Sequence, residues 1–175
     1  MIFRLPLWRR AVLRMFRVEV RYGAVAELLT ADFAKPVIVC CNHQSFLDGP
    51  ILAFASPRKM VFPVNPRQSV DNRFTRNALA VLERLGLGWT VVMNSDKPWS
   101  VRTLATALNE SRAVAVFPAG RICAPHESEV EKPGVEWLSA RTGAEIVRAR
   151  ISGAADSRLF AKAGTKIWPK ITVEF

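Results

Sequence analysis

His43 and Asp48 stand five residues apart in CCNHQSFLDG, residues 40–49. A histidine titrates near neutral pH and can accept a proton, and a carboxylate beside it can hold one ring nitrogen and stabilise the imidazolium. Residues five apart on one regular helix do not share a face. They meet only across a turn, and the strand-like run PVIVCC (36–41) ahead of the histidine supplies the setting for a strand-to-helix turn. The same residues also read as plain structure. Ser45 and Asp48 form an S-x-x-D capping pattern, and Pro50 sets the helix start near Asp48, where backbone N–H groups can occupy the carboxylate.

A second stretch, FPAGR (117–121), closes another strand-like run. Pro118 and Gly120 bend the chain away from the strand and bring backbone amides and Arg121 to its end. Donors of this kind can hold a phosphate by N–H groups and a guanidinium fork.

The elements that would position these loops alternate. Strand-like runs occur at 18–22, 36–41, 59–64, 88–93, 113–118, 144–151 and 170–175, and helical apolar spacing occurs at 74–85, 101–108 and 133–142, the last with Pro133 at its start and Gly143 as its stop. This order predicts a single α/β domain with a mainly parallel central sheet of six or seven strands flanked by helices, in which chemistry gathers at the carboxyl ends of strands. No repeat or linker divides it.

Half of the residues are hydrophobic, enough for a core, and the net charge of +10 predicts an anionic partner. The basic residues concentrate in MIFRLPLWRRAVLRMFR, where Leu5, Trp8, Val12, Met15 and Phe16 project to one side of a helix, Arg10, Arg14 and Arg17 to the other, and Arg4 and Arg9 lie near the border. The expected division is therefore 1–16 as an amphipathic helix and 17–175 as the α/β domain. The helix predicts an interfacial contact with an anionic membrane, carried by Trp8, Arg9, Arg10 and Arg14, or else a packed helix with a solvated basic face. No nucleic-acid motif accompanies the charge, so nucleic acid is not an expected partner. No apolar run reaches the roughly 18 residues of a spanning helix. Three cysteines, Cys40, Cys41 and Cys123, form neither a disulfide framework nor a metal clip, and no metal site is expected. A reducing cytoplasm fits this usage.

The two loops together resemble the glycerophospholipid acyltransferase family. NHQSFLDG is similar to its N-H-x-x-x-x-D block, VFPAGR to its F-P-E-G block, and GAEIVRARISGA to its late strand block. VVMNSDKPWSVRTLATAL, with Arg directly after Gly120, is most similar to acyltransferase domains associated with acyl-carrier-protein synthetases. The resemblance implies O-acyl transfer from an acyl thioester, on acyl-carrier protein or CoA, to the free hydroxyl of a lysophospholipid or related lyso-lipid, at the cytoplasmic face of a membrane as a peripheral protein, without a cofactor. It implies His43 as general base, Asp48 as the group that orients it, and an oxyanion held by backbone N–H groups near the histidine loop. Asn42, Ser45, Phe117, Pro118, Gly120, Arg121 and Arg102 would bind substrate.

The sequence departs from the pattern. Ala119 replaces the glutamate of F-P-E-G, although Glu127, Glu129 and Glu131 follow it. Asn94 and Ser95 stand where relatives carry an Asp-Arg pair, which would leave phosphate binding to Lys97, Arg102 or Arg121. Arg148 replaces a proline in the late strand block, and Pro50 is atypical after Asp48. Ala119 raises the alternative of a catalytically impaired lipid-binding member of the same fold. His126 reads as a solvated loop residue.

Overall fold

Strand β2, Val37–Cys41, is buried at every position. Such a continuous apolar run suits a strand covered on both faces of a parallel sheet. The computed structural model describes residues 5–30, 35–64, 73–93, 98–110, 112–124 and 133–175. It bears out the α/β expectation. The other strands are β1 (Val18–Arg21), β3 (Met60–Val64), β4 (Gly88–Val92), β5 (Ala113–Val116), β6 (Glu145–Ser152) and β7 (Ile171–Glu174), forming one seven-stranded sheet in the order β1-β7-β6-β2-β5-β3-β4. β6, β2, β5, β3 and β4 run parallel, β7 is antiparallel to β6, and β1 is parallel to β7.

The side chains of β2 alternate between two cores. Val37, Val39 and Cys41 face one that includes Leu13 of helix α1 (Leu7–Met15), Ile51 and Leu52 of α2 (Asp48–Ala55), and Leu82 of α3 (Arg73–Arg84). Ile38 and Cys40 face the other, with Leu104 and Leu108 of α4 (Pro98–Asn109) and Val135 and Leu138 of α5 (Gly134–Thr142). The adjacent cysteines therefore point to opposite faces and are both buried, as is Cys123.

This layout has a consequence for the carboxyl edge. The connection leaving β2 passes through α2 on one face toward β3, and the connection leaving β5 passes through α5 on the other face back to β6. Neighbouring strands whose connections diverge to opposite faces and in opposite directions leave a crevice between their carboxyl ends. The histidine loop and FPAGR lie at that crevice.

Helix α1 differs from its helical projection at Arg9. Arg9 is buried rather than at the polar border, and its Nη1 donates to Ser56 O at 2.9 Å, at the C-terminal end of α2. Burial lowers its pKa from the ordinary arginine value, opposed by the nearby Tyr22. The aliphatic stem of arginine packs like a hydrophobe, and the carbonyl end of α2 supplies an acceptor with favourable dipole sense. Arg10 and Arg14 are exposed, as are Leu7 and Met15. Pro6 is the N-cap of α1. Among the described residues no helix is long and apolar enough to cross a membrane.

Candidate active site

β2 ends at Cys41, and the next residue locks the turn. Asn42 Nδ2 donates to Ile151 O at 2.8 Å, and Ile151 N–H donates to Asn42 Oδ1 at 2.7 Å. A side-chain amide here occupies the place of a peptide group in the β2–β6 ladder, so the sheet continues for one residue while the main chain turns away. His43 follows at the crevice, its side chain 21% exposed.

His43 Nδ1 lies 3.0 Å from Asp48 Oδ2, and Asp48 is fully buried. The same oxygen accepts N–H bonds from Gln44 at 2.6 Å and Ser45 at 2.7 Å. An ionised carboxylate only accepts, so this contact places the ring proton on Nδ1 and leaves Nε2 with its lone pair. Both readings of Asp48 hold at once. It is the first residue of α2, its carboxylate satisfies the Ser45 N–H in the manner of a capping box, and Ser45 Oγ accepts from Leu47 N–H at 3.2 Å. Asp48 Oδ1 is buried with no hydrogen-bond partner among the described residues.

These bonds limit the oxyanion expectation to other amides near the loop. The N–H groups of Gln44 and Ser45 go to Asp48, that of Phe46 to Phe160 O, that of Leu47 to Ser45 Oγ and that of Asp48 to Ser45 O. The amides of residues 44–48 are therefore committed inside the protein and do not serve as oxyanion donors. Ser45 itself is fully buried, and its hydroxyl donates to Phe160 O at 3.0 Å. It orders the loop from beneath.

The FPAGR turn meets the histidine loop directly. The Phe117 ring stacks on the His43 imidazole at 4.2 Å between centroids and 22° between planes. Cys123 N–H donates to His43 O at 2.8 Å. Gly120 has φ +67° and its N–H returns to Phe117 O at 2.9 Å, a left-handed turn that glycine adopts without the clash a side chain would bring. Pro118 is buried, Ala119 half-buried, and Arg121 exposed at the tip of the turn.

Arg102 is exposed on α4, and among the described residues no hydrogen bond or ion pair joins it to the histidine loop. Arg148 is exposed on β6 and pairs with Glu136 at 3.7 Å. Asn94, Ser95, Lys97, His126, Glu127, Glu129 and Glu131 lie outside the described residues. No cluster of metal-ligating side chains occurs among the described residues.

One part of the site was not anticipated. The segment between β6 and β7, residues 153–170, folds back over both loops. Phe160 O accepts from Ser45 Oγ and Phe46 N–H, Ser45 and Ala161 form a β-bridge, and Lys162 Nζ donates to Ile122 O at 2.7 Å. The fold-back starts at Gly153, whose φ is +83° and where an added Cβ would lie 2.2 Å from Lys170 O. Only this glycine carried a sequence signal, because the other bonds run through main-chain carbonyls.

A family model described as Acyltransferase matches residues 21–153. Among solved structures the chain is similar to the crystal structure of the 1-acyl-sn-glycerophosphate (LPA) acyltransferase, PlsC, from Thermotoga maritima. The identity is 18%, the TM-score 0.59, and the match covers 95% of this chain and 68% of that one. At this identity the likeness speaks for the fold.

Proposed function

Since the chain belongs to the acyltransferase family, an enzyme family, we propose that it moves a fatty acyl group from an acyl thioester to a free hydroxyl of a lysophospholipid or related lyso-lipid. The observation that carries this reading is the His43–Asp48 contact at the crevice between β2 and β5. Nε2 of His43 removes the proton from the acceptor hydroxyl as its oxygen attacks the thioester carbonyl. Asp48 holds the ring tautomer and balances the imidazolium charge. The tetrahedral intermediate collapses by breaking the C–S bond. The thiolate of acyl-carrier protein or CoA leaves, and the imidazolium returns its proton to that thiolate or to water.

Arg121, at the exposed turn beside the stacked Phe117, is the group suited to the acceptor's phosphate. Gly120 allows the main chain to approach it closely. Asn42 and Ser45 act as positioning residues for the loop. The acceptor's acyl chain belongs in a bilayer, and α1 offers exposed Leu7, Trp8 and Met15 beside Arg10 and Arg14 to an anionic membrane surface. That arrangement fits a peripheral protein on the cytoplasmic face. The reaction needs no cofactor, because the thioester already carries the activated acyl group.

An assay supplying acyl thioester and lyso-lipid, comparing the native chain with His43→Ala, tests the reading. Loss of product by about 10²–10⁴-fold is expected. Equal turnover by both would sink it.

A second reading is a lipid-binding member that no longer turns over, and Ala119 in the stacked turn is the observation favouring it. Ala119→Glu separates the two. If only the glutamate variant forms product, the native chain is a binder.

A further inference from the structure

We infer that the segment 157–168 between β6 and β7 is a second bilayer-docking element, which together with α1 seats the crevice on an anionic membrane surface. This rests on the lyso-lipid reading above, because a bilayer-borne acceptor requires the crevice mouth to meet the bilayer.

The segment exposes Leu159 at 58%, Ile167 at 63% and Trp168 at 41%. Between and beside these lie exposed Arg158, Lys162, Lys166 and Lys170; Lys162 is held on Ile122 O, Lys166 pairs with Asp156 at 2.8 Å and Lys170 with Glu19 at 2.9 Å, and the last two keep side chains 65% and 63% exposed. Large apolar side chains interleaved with cations, on a short ordered segment, match the chemistry of an anionic lipid interface. Scattered single apolar residues on a surface need no explanation. These are not scattered.

The bonds make them one unit with α1 at one end and the site at the other. Trp168 Nε1 donates to Met15 O at 2.9 Å, and its ring stacks on Phe16 at 5.5 Å. Arg158 N–H donates to Lys166 O at 2.8 Å, and Lys166 N–H donates to Asp156 O at 2.9 Å, closing the segment on itself. Phe160 O then holds Phe46 N–H at 2.9 Å, and Phe46 is itself 50% exposed, three residues beyond His43. The bonds from the C-terminal end of α1 to the histidine loop therefore run without a break through this segment. An element that is both clamped to the catalytic loop and dressed for an interface sets the depth at which an acceptor hydroxyl meets His43.

The test is partition onto vesicles of phosphatidylglycerol and phosphatidylcholine by flotation, a readout independent of turnover. Leu159→Asp/Ile167→Asp is compared with Leu7→Asp/Met15→Asp on α1 and with Val81→Asp on α3, an exposed apolar control. All these positions are exposed, so thermal melts should match the native chain. The proposal expects partition to fall at least about tenfold in each double variant and to hold in the control. A fluorophore on Ile167→Cys, where the native cysteines are buried, should shift to the blue on these vesicles.

Native partition by Leu159→Asp/Ile167→Asp, or a label at 167 that emits as in buffer while the protein is vesicle-bound, would overturn the proposal. So would unchanged vesicle binding accompanied by a raised KM for an acyl-carrier-protein thioester, which would assign the surface to the carrier. If the His43 assay fails while partition falls as expected, the docking element stands and the reaction does not.

Discussion

Phe117 lies flat against His43, 4.2 Å between ring centroids and 22° from parallel. The two come from different strand ends, and the contact fixes the imidazole in the plane that also serves Asp48. A ring held by a hydrogen bond at one edge can still rock about that bond. Stacking removes the motion, so Nε2 keeps a constant aim. Phe117→Ala should therefore lower kcat by about 10–100-fold with little change in KM, the signature of lost orientation. A Phe117→Tyr variant that retains the stack should keep most of the activity. An unchanged kcat in the alanine variant would show that Asp48 alone suffices.

Asp48 serves three donors through one oxygen, so its two simplest substitutions should separate two roles. Asp48→Asn can present its carbonyl oxygen to the same donors and place its amide where the unpartnered Oδ1 now lies. It should fold but lose the charge that balances an imidazolium, with turnover falling roughly 10³–10⁴-fold. Asp48→Ala leaves the Gln44 and Ser45 N–H groups without acceptors, at about 1–3 kcal/mol for each buried donor. Melting temperature and turnover measured on both variants give the separation. Equal melting temperatures in the two would refute the capping role.

Asn42 holds the loop to β6 by donating and accepting at one residue. Asn42→Ala strands both the N–H and the C=O of buried Ile151, at about 1–3 kcal/mol for each group. The expected result is a lower melting point together with a lower kcat, because His43 follows directly on the freed residue. Asn42→Ser, too short to bridge both groups, should resemble alanine. A variant that melts lower but turns over normally would show that His43 is placed by Asp48 and Phe117 without help from the sheet.

The parallel strands and both loops were legible in the sequence because each follows a local rule. Buried parallel strands are short apolar runs, and turns announce themselves with Pro118, Gly120 and Pro50. The reversed direction of β7 was not legible, since direction depends on pairing with β6 rather than on composition. The role of residues 153–170 was hidden for a similar reason. Phe160 and Ala161 act through their main chains, which every residue type shares. Arg9 was misplaced because a helical projection counts arginine as polar throughout, whereas only its tip is.

That misplacement leads to a test of how α1 is seated. Tyr22, the only tyrosine of the chain, donates its hydroxyl to Ala55 O at 2.6 Å and stacks on Phe175. Burial raises its pKa to about 12, opposed by the charge of Arg9. Folding favours the neutral phenol. The stability it confers is fully present below the unfolded value of about 10 and is lost as pH rises through about 12. A rapid pH jump, read by phenolate absorbance before unfolding, should find the folded chain ionising about two units above the denatured chain. Arg9→Met removes the cation that favours phenolate and should move the folded titration higher still. Ionisation of the folded native chain near its denatured value would mean that α1 and α2 do not enclose Tyr22, and the seating of the N-terminal helix would have to be redrawn.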